Sequence, residues 1–131
     1  MTSVLAVDGD PQTLKLVTYL LSKIGIPVIS AGSGIEAIEL VQSIQPDLVI
    51  LELALPDING LEFVQTIRVD PVLSQIPIVV LASAEDYRPE EILQAGCDAF
   101  IPKPIDTRTF LLTIKTVLEG KPNSNFGDSV Q

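Results

Sequence analysis

Residues 47–60, Asp-Leu-Val-Ile-Leu-Glu-Leu-Ala-Leu-Pro-Asp-Ile-Asn-Gly, decide the fold class of this chain. The apolar run at 48–51 is short and aliphatic, which is typical of a strand buried on both faces within a parallel sheet. It ends at the carboxylate of Glu52, and a loop containing Pro56 and Gly60 follows. Open α/β sheets place their sites at the carboxyl ends of such strands, so Glu52 is the first candidate functional residue.

Four further apolar runs flank this stretch, and each is followed by a segment whose apolar residues have helical spacing. Short runs bounded by glycine, proline or acidic residues favour strands. Together with the central run they predict five strands alternating with five helices. The other predicted strands are residues 3–7, 26–30, 78–81 and 99–102. The predicted helices are residues 11 to about 23, 35–44, 61–69, 88–94 and 107–119, the first and last with Asp10 and Asp106 as N-caps.

Two prolines and the helical connections predict the order of the strands. Strands joined by helices run parallel, with right-handed crossovers. Pro27 and Pro102 cannot donate to a sheet ladder, so the second and fifth strands are expected at the edges. The predicted fold is therefore α/β, a flavodoxin-like doubly wound sheet with strand order 2-1-3-4-5. Residues 1–119 are expected to form this domain, and the polar residues 120–131 a flexible tail or linker remnant.

The composition excludes several classes of function. The 131 residues include 17 acidic and 8 basic side chains, a formal net charge of −9, whereas nucleic-acid binding requires clustered Lys and Arg. The absence of histidine excludes His-based triads, ordinary zinc sites and a histidine phosphate donor. Cys97 is the only cysteine, so no intrachain disulfide can form. No apolar run reaches membrane-spanning length, which predicts a cytoplasmic protein with no membrane partner.

The predicted topology brings four strand ends to one rim of the sheet. The first strand leads to Asp8, the third to Glu52, the fourth to Ala82 and the fifth to Lys103. Two carboxylates and one ammonium would then face the same crevice. Such a set predicts a site for a hard cation or a phosphate group.

Four motifs occur in order along the predicted strand ends. They are Leu-Ala-Val-Asp-Gly-Asp-Pro at 5–11, Pro-Asp-Leu-Val-Ile-Leu-Glu-Leu-Ala-Leu-Pro-Asp-Ile-Asn-Gly at 46–60, Ile-Pro-Ile-Val-Val-Leu-Ala-Ser-Ala at 76–84 and Gly-Cys-Asp-Ala-Phe-Ile-Pro-Lys-Pro at 96–104. In this order and spacing they give the chain a strong resemblance to the receiver domains of two-component response regulators, from about residue 4 to residue 119. In that family an aspartate ending the third strand accepts a phosphoryl group from a histidine kinase. The resemblance also implies Mg²⁺ held by this aspartate and by an acidic pair after the first strand.

The chain departs from the family pattern at three positions. Glu52 stands at the acceptor position, Gly9 at the second acidic position and Ala82 at the position of the Ser or Thr that contacts the phosphoryl group. Asp8, as the first acid, and Lys103, as the second phosphoryl contact, match the pattern. The resemblance also places an aromatic switch residue at Phe100 and a cis peptide bond before Pro104.

These departures act against regulated phosphorylation. In-line transfer tolerates little misplacement of the nucleophile, and Glu52 is one methylene longer than aspartate. Gly9 removes a Mg²⁺ ligand, and Ala82 offers no hydrogen bond. We therefore interpret the chain as a pseudo-receiver with weak or absent Mg²⁺ binding at Asp8 and Glu52. It is expected to act on a protein partner, a histidine kinase or another signalling protein, and not as an enzyme.

The sequence allows two interpretations of the role of several residues. Glu52 is either a built-in mimic of the phosphorylated state, paired with Lys103, or what remains of a decayed site. Asp8 is a residual metal ligand or a turn residue. Asp10 supplies part of the missing acid or only caps a helix. Ser83 is one residue from the hydroxyl position, a shift that turns a strand side chain to the other face.

Two rival functions also stay open. The first is a working phosphoacceptor that receives a phosphoryl group at Glu52 or a neighbouring aspartate. The second is a small flavodoxin-like enzyme or cofactor-binding domain. The chain has no glycine-rich phosphate loop, and aromatic residues make up only 5% of it, which disfavours this second function.

Overall fold

Strands and helices alternate strictly along the chain in the computed structural model, which describes residues 2–83, 85 and 87–120. The expected tail beyond Gly120 lies outside these residues. The strands are β1 (Val4–Val7), β2 (Val28–Ala31), β3 (Leu48–Glu52), β4 (Ile78–Ser83) and β5 (Ala99–Lys103). The helices are α1 (Pro11–Ser22), α2 (Gly34–Ile44), α3 (Gly60–Val69), α4 (Pro89–Gln94) and α5 (Thr107–Leu118).

The five strands form one parallel sheet in the order β2-β1-β3-β4-β5, which confirms the predicted flavodoxin-like topology. β2 and β5 are the two edges, as their prolines predicted. Pro27 immediately precedes β2, so the predicted start of that strand was too early. β4 is longer than predicted, because Ala82 and Ser83 pair with Pro102 and Lys103 of β5.

The sheet has an apolar layer on each face, as a parallel sheet requires. One layer packs side chains of the sheet against α2, α3 and α4, and includes Leu51, Val80 and Phe63. The other packs them against α1 and α5, and includes Ile50, Leu81 and Phe110. Because side chains alternate along each strand, Glu52 lies on the same face of the sheet as Ile50, and Lys103 on the same face as Ile101, toward α1 and α5.

Arg68 of α3 contacts two connections at the amino-terminal rim of the sheet. Its guanidinium donates to the carbonyl oxygens of Gly96 at 2.8 Å, Ser74 at 2.9 Å and Ile76 at 2.7 Å. It also forms a 2.9 Å ion pair with Asp98. Only 22% of the arginine side chain is exposed. The residue therefore fixes the segments before β4 and β5 to α3.

Candidate functional site

Asp8, Glu52 and Lys103 come together at the carboxyl-terminal rim of the sheet. Asp8 directly follows β1, and Glu52 and Lys103 are the last residues of β3 and β5. Asp8 is 3% exposed and Glu52 is 7% exposed, whereas 24% of the Lys103 side chain reaches solvent. The strand order therefore places two buried carboxylates beside one half-buried ammonium.

The Lys103 ammonium bridges the two carboxylates. Its Nζ lies 3.1 Å from Asp8 Oδ2 and also contacts Glu52 Oε1. The other oxygen of each carboxylate accepts a backbone N–H, from Asp10 at 2.8 Å for Asp8 and from Ala54 at 3.0 Å for Glu52. All four carboxylate oxygens are thus bonded within the protein, which is what burial of charged groups requires.

The electrostatics of the three groups are coupled. Burial raises the pKa of Asp8 above its ordinary value, and this effect outweighs the hydrogen bond from Asp10 and the nearby Lys103 charge. Burial alone would lower the pKa of Lys103. The hydrogen bond to Glu52 and the charges of Asp8 and Glu52 outweigh burial, so the pKa of Lys103 is raised.

Alkaline pH is expected to remove the stability that this lysine supplies. Because the folded-state pKa of Lys103 lies above its ordinary value of 10.5, its contribution is complete below that pH and is lost as the pH rises through the folded-state value. Urea unfolding at roughly pH 9 and roughly pH 11.5 would measure the loss. Lys103→Met should show a smaller decline than the native chain, and equal declines would contradict the assignment.

Gly9 and Asp10 do not complete an acidic pair with Asp8. Gly9 has no side chain, and a Cβ placed there would lie 3.2 Å from Pro56 Cδ. The carboxylate of Asp10 accepts the Gln12 N–H at 3.0 Å and the Thr13 hydroxyl at 3.1 Å. Asp10 is therefore the N-cap of α1, the second of its two predicted roles.

The residues present do not fit a Mg²⁺ ion. Mg²⁺ prefers an octahedral set of oxygen ligands and is held by carboxylates and water. Here the carboxylates of Asp8 and Glu52 both contact the Lys103 ammonium. Within residues 2–83, 85 and 87–120 no three His, Cys, Asp or Glu side chains are grouped as metal ligands.

Ala82 and Phe100 belong to the apolar layer beneath α2, α3 and α4. Ala82 is fully buried and Phe100 is 8% exposed, and both lie in the same cluster as Val80. Ser83, the neighbouring hydroxyl, is the register partner of Lys103 on the adjacent strand. The position expected to carry a phosphoryl-binding hydroxyl is therefore occupied by a core methyl group.

Comparison with known proteins identifies the family to which this chain belongs. A sequence model described as the response regulator receiver domain matches residues 4–115. The chain belongs to the response regulator receiver family. The receiver domain is 37% identical over 117 residues to the polar-differentiation response regulator DivK of Brucella ovis, covering 88% of this chain and 95% of DivK.

Solved structures show the same relationship. The receiver domain matches the chemotaxis response regulator CheY4 of Vibrio cholerae with a TM-score of 0.81 at 30% identity, covering 89% of this chain and 98% of CheY4. It matches a two-component response regulator from Clostridium difficile with a TM-score of 0.81 at 27% identity. The match covers 91% of this chain and 97% of that regulator. Receiver domains are two-component signalling modules that interact with other signalling proteins such as kinases, and are not typical enzymes.

Two further features of the receiver domain bear on earlier predictions. The Lys103–Pro104 peptide bond is cis, which confirms the expectation drawn from the family. No helix among the described residues is long and apolar enough to span a bilayer.

Asp57 is a residue whose contacts the sequence did not indicate. Its carboxylate accepts the N–H groups of Gly34 at 2.8 Å and Ile35 at 2.9 Å, at the start of α2. The hydrogen bonds from Ile35 and Gly34 lower the pKa of Asp57. These partners lie more than 20 residues away along the chain, so no local pattern could have identified them.

Proposed function

We propose that this receiver domain is a cytoplasmic pseudo-receiver that signals by protein–protein contact and does not depend on phosphoryl transfer. One observation carries the proposal: the Lys103 ammonium is engaged by both Asp8 and Glu52. The lysine that contacts the phosphoryl group in working receivers is here neutralised by the protein's own carboxylates. A protein surface, and not nucleic acid or membrane, is the partner that the acidic composition favours.

Several features of the site disfavour phosphoryl transfer to Glu52. Both oxygens of Glu52 are engaged, because Oε1 contacts Lys103 and Oε2 accepts the Ala54 N–H. Removing such contacts from a buried carboxylate costs free energy before any reaction begins. Gly9 and Ala82 provide neither a metal ligand nor a hydroxyl.

Glu52 also supports a more specific form of the proposal. Its carboxylate contacts Lys103 directly, as a mimic of the phosphorylated state would. The site is then held in one state, and the partner reads that state through a surface of the domain. The family resemblance favours the face formed by α4, β5 and α5. The partner expected is a histidine kinase or another signalling protein.

Incubation with acetyl phosphate and Mg²⁺ is expected to leave the intact mass of the native chain unchanged. The matched variant combines Gly9→Asp, Glu52→Asp and Ala82→Thr, which restores the family pattern at all three positions. It should gain a phosphoryl group only when Mg²⁺ is present. Mass spectrometry with and without metal measures both proteins.

The intact masses of the native chain and of the triple variant, taken together, test the proposal. A Mg²⁺-dependent adduct on the native chain would overturn it and would make Glu52 or a neighbouring aspartate a working acceptor. An adduct on the triple variant alone would show that the three substitutions account for the loss. The Gly9→Asp side chain must displace Pro56 by a few tenths of an ångström, so folding of the variant is checked by circular dichroism.

A further inference from the structure

Residues 53–59, the β3–α3 loop, are attached to the start of α2 through Asp57. Asp57 Oδ1 accepts the N–H of Gly34 at 2.8 Å and of Ile58 at 2.9 Å, and Oδ2 accepts the N–H of Ile35 at 2.9 Å. The first N–H groups of a helix have no partner within the helix. The N-cap Ser33 satisfies only the later N–H of Glu36 with its side chain, at 3.2 Å. Asp57 therefore completes the capping of α2 from another part of the chain.

Apolar packing holds the same junction independently of the carboxylate. A Cβ added to Gly34 would lie 2.3 Å from Ile58 Cγ1 and 2.5 Å from Ile58 Cδ1. The Ile58 side chain therefore rests on the backbone of Gly34 at a distance that only glycine allows. One polar and one apolar contact thus fix adjacent loop residues to the first residue of α2.

The other part of the β3–α3 loop contacts the acceptor position. Ala54, three residues before Asp57, donates its N–H to Glu52 Oε2 at 3.0 Å. An isolated bridge between Ala54 and Asn59 and a 2.8 Å hydrogen bond from Gly60 N–H to Leu53 oxygen close the loop on itself. Asp57 and Ala54 therefore belong to the same short, closed loop.

We propose that Asp57 is a positioning residue for the Glu52–Lys103 site: by fixing the β3–α3 loop to α2, it keeps the Ala54 N–H on Glu52 Oε2. Coupling between two sites is reciprocal. The state of Glu52 therefore also acts on the start of α2.

Asp57→Ala tests the proposal, with Ser33→Ala as the matched control. Both substitutions remove a side-chain cap from α2, but only the first also removes a polar contact of the β3–α3 loop, and the packing of Ile58 on Gly34 remains in both. Hydrogen exchange measured by NMR should show the Ala54 amide exchanging about tenfold faster in Asp57→Ala than in Ser33→Ala, after correction for global stability. The carboxyl carbon signal of Glu52 should move in Asp57→Ala alone.

Two further measurements complete the design. Glu52→Gln should speed exchange of the Gly34 and Ile35 amides, as reciprocity requires. Asp57→Asn keeps one acceptor oxygen, so it should fold even if Asp57→Ala does not, and should give a smaller increase at Ala54. Equal Ala54 exchange in the Asp57 and Ser33 variants, with an unmoved Glu52 signal, would overturn the proposal and leave Asp57 as a cap of α2 only. None of these readouts involves phosphorylation, so they fail or succeed separately from the mass measurement.

Discussion

Lys103→Met is expected to lower the free energy of unfolding by about 3 kcal/mol at neutral pH. Methionine keeps the length of the side chain but removes the ammonium that both Asp8 and Glu52 contact. Two buried carboxylates would then face each other without a counter-charge, and breaking a buried ion pair on one side costs about 3–5 kcal/mol. We expect a loss of unfolding free energy at the lower end of this range because 24% of the lysine side chain is exposed to solvent. Urea unfolding followed by circular dichroism measures it.

The control for this experiment is Lys15→Met, which changes an exposed lysine on α1. It should alter stability by less than about 0.5 kcal/mol. The loss in Lys103→Met should also shrink at mildly acidic pH. Without the ammonium the pKa of Asp8 rises further, and a raised folded-state pKa adds stability that is present at low pH and lost as the pH rises. A Lys103→Met variant as stable as Lys15→Met at neutral pH would mean that the buried carboxylates do not need this counter-charge.

Arg68→Met is expected to lower the free energy of unfolding by about 3 kcal/mol as well, at the opposite rim. The substitution removes the donors for three part-buried carbonyl oxygens, and a fully buried acceptor left without a partner costs about 1–3 kcal/mol. Water can hydrogen-bond to some of these oxygens in the variant, so the total loss of unfolding free energy is smaller than three separate penalties. The Asp98 ion pair contributes little because 46% of that side chain is exposed. Thermal and urea unfolding measure the change.

Arg108→Met on the exposed face of α5 is the matched control, since it removes the same group from a position in solvent. It should change stability by less than about 0.5 kcal/mol. If Arg68→Met behaves like this control, the three carbonyl oxygens are hydrated in solution and the arginine does not fix the segments before β4 and β5. Hydrogen exchange at the Ile78 amide, which donates to Asp98 at 2.8 Å, would report the same conclusion locally.

The fold was predictable because its main determinants are local. Five short apolar runs predicted the strands, and the prolines at 27 and 102 predicted which two are edges. Errors occurred where tertiary pairing decides the boundary. Ala82 and Ser83 belong to β4 because β5 continues beside them, and nothing within residues 82–83 indicates this.

The candidate site was predictable only in part. Asp8, Glu52 and Lys103 were identified because the topology itself brings strand ends together. The contact of one ammonium with both carboxylates depends on side-chain geometry that spacing does not specify. Asp57 and Arg68 act on residues 23 and 28 positions away, so their partners emerge only from the packed structure.

The two edge strands have a consequence for how the protein behaves at high concentration. An open sheet edge is a template on which another chain can add a strand, and proteins limit this with short edges and proline. Here β2 has four residues and directly follows Pro27, and β5 has five residues and contains Pro102. Both edges of the sheet are therefore poor templates for the addition of a strand from another chain, which disfavours self-association into extended sheets.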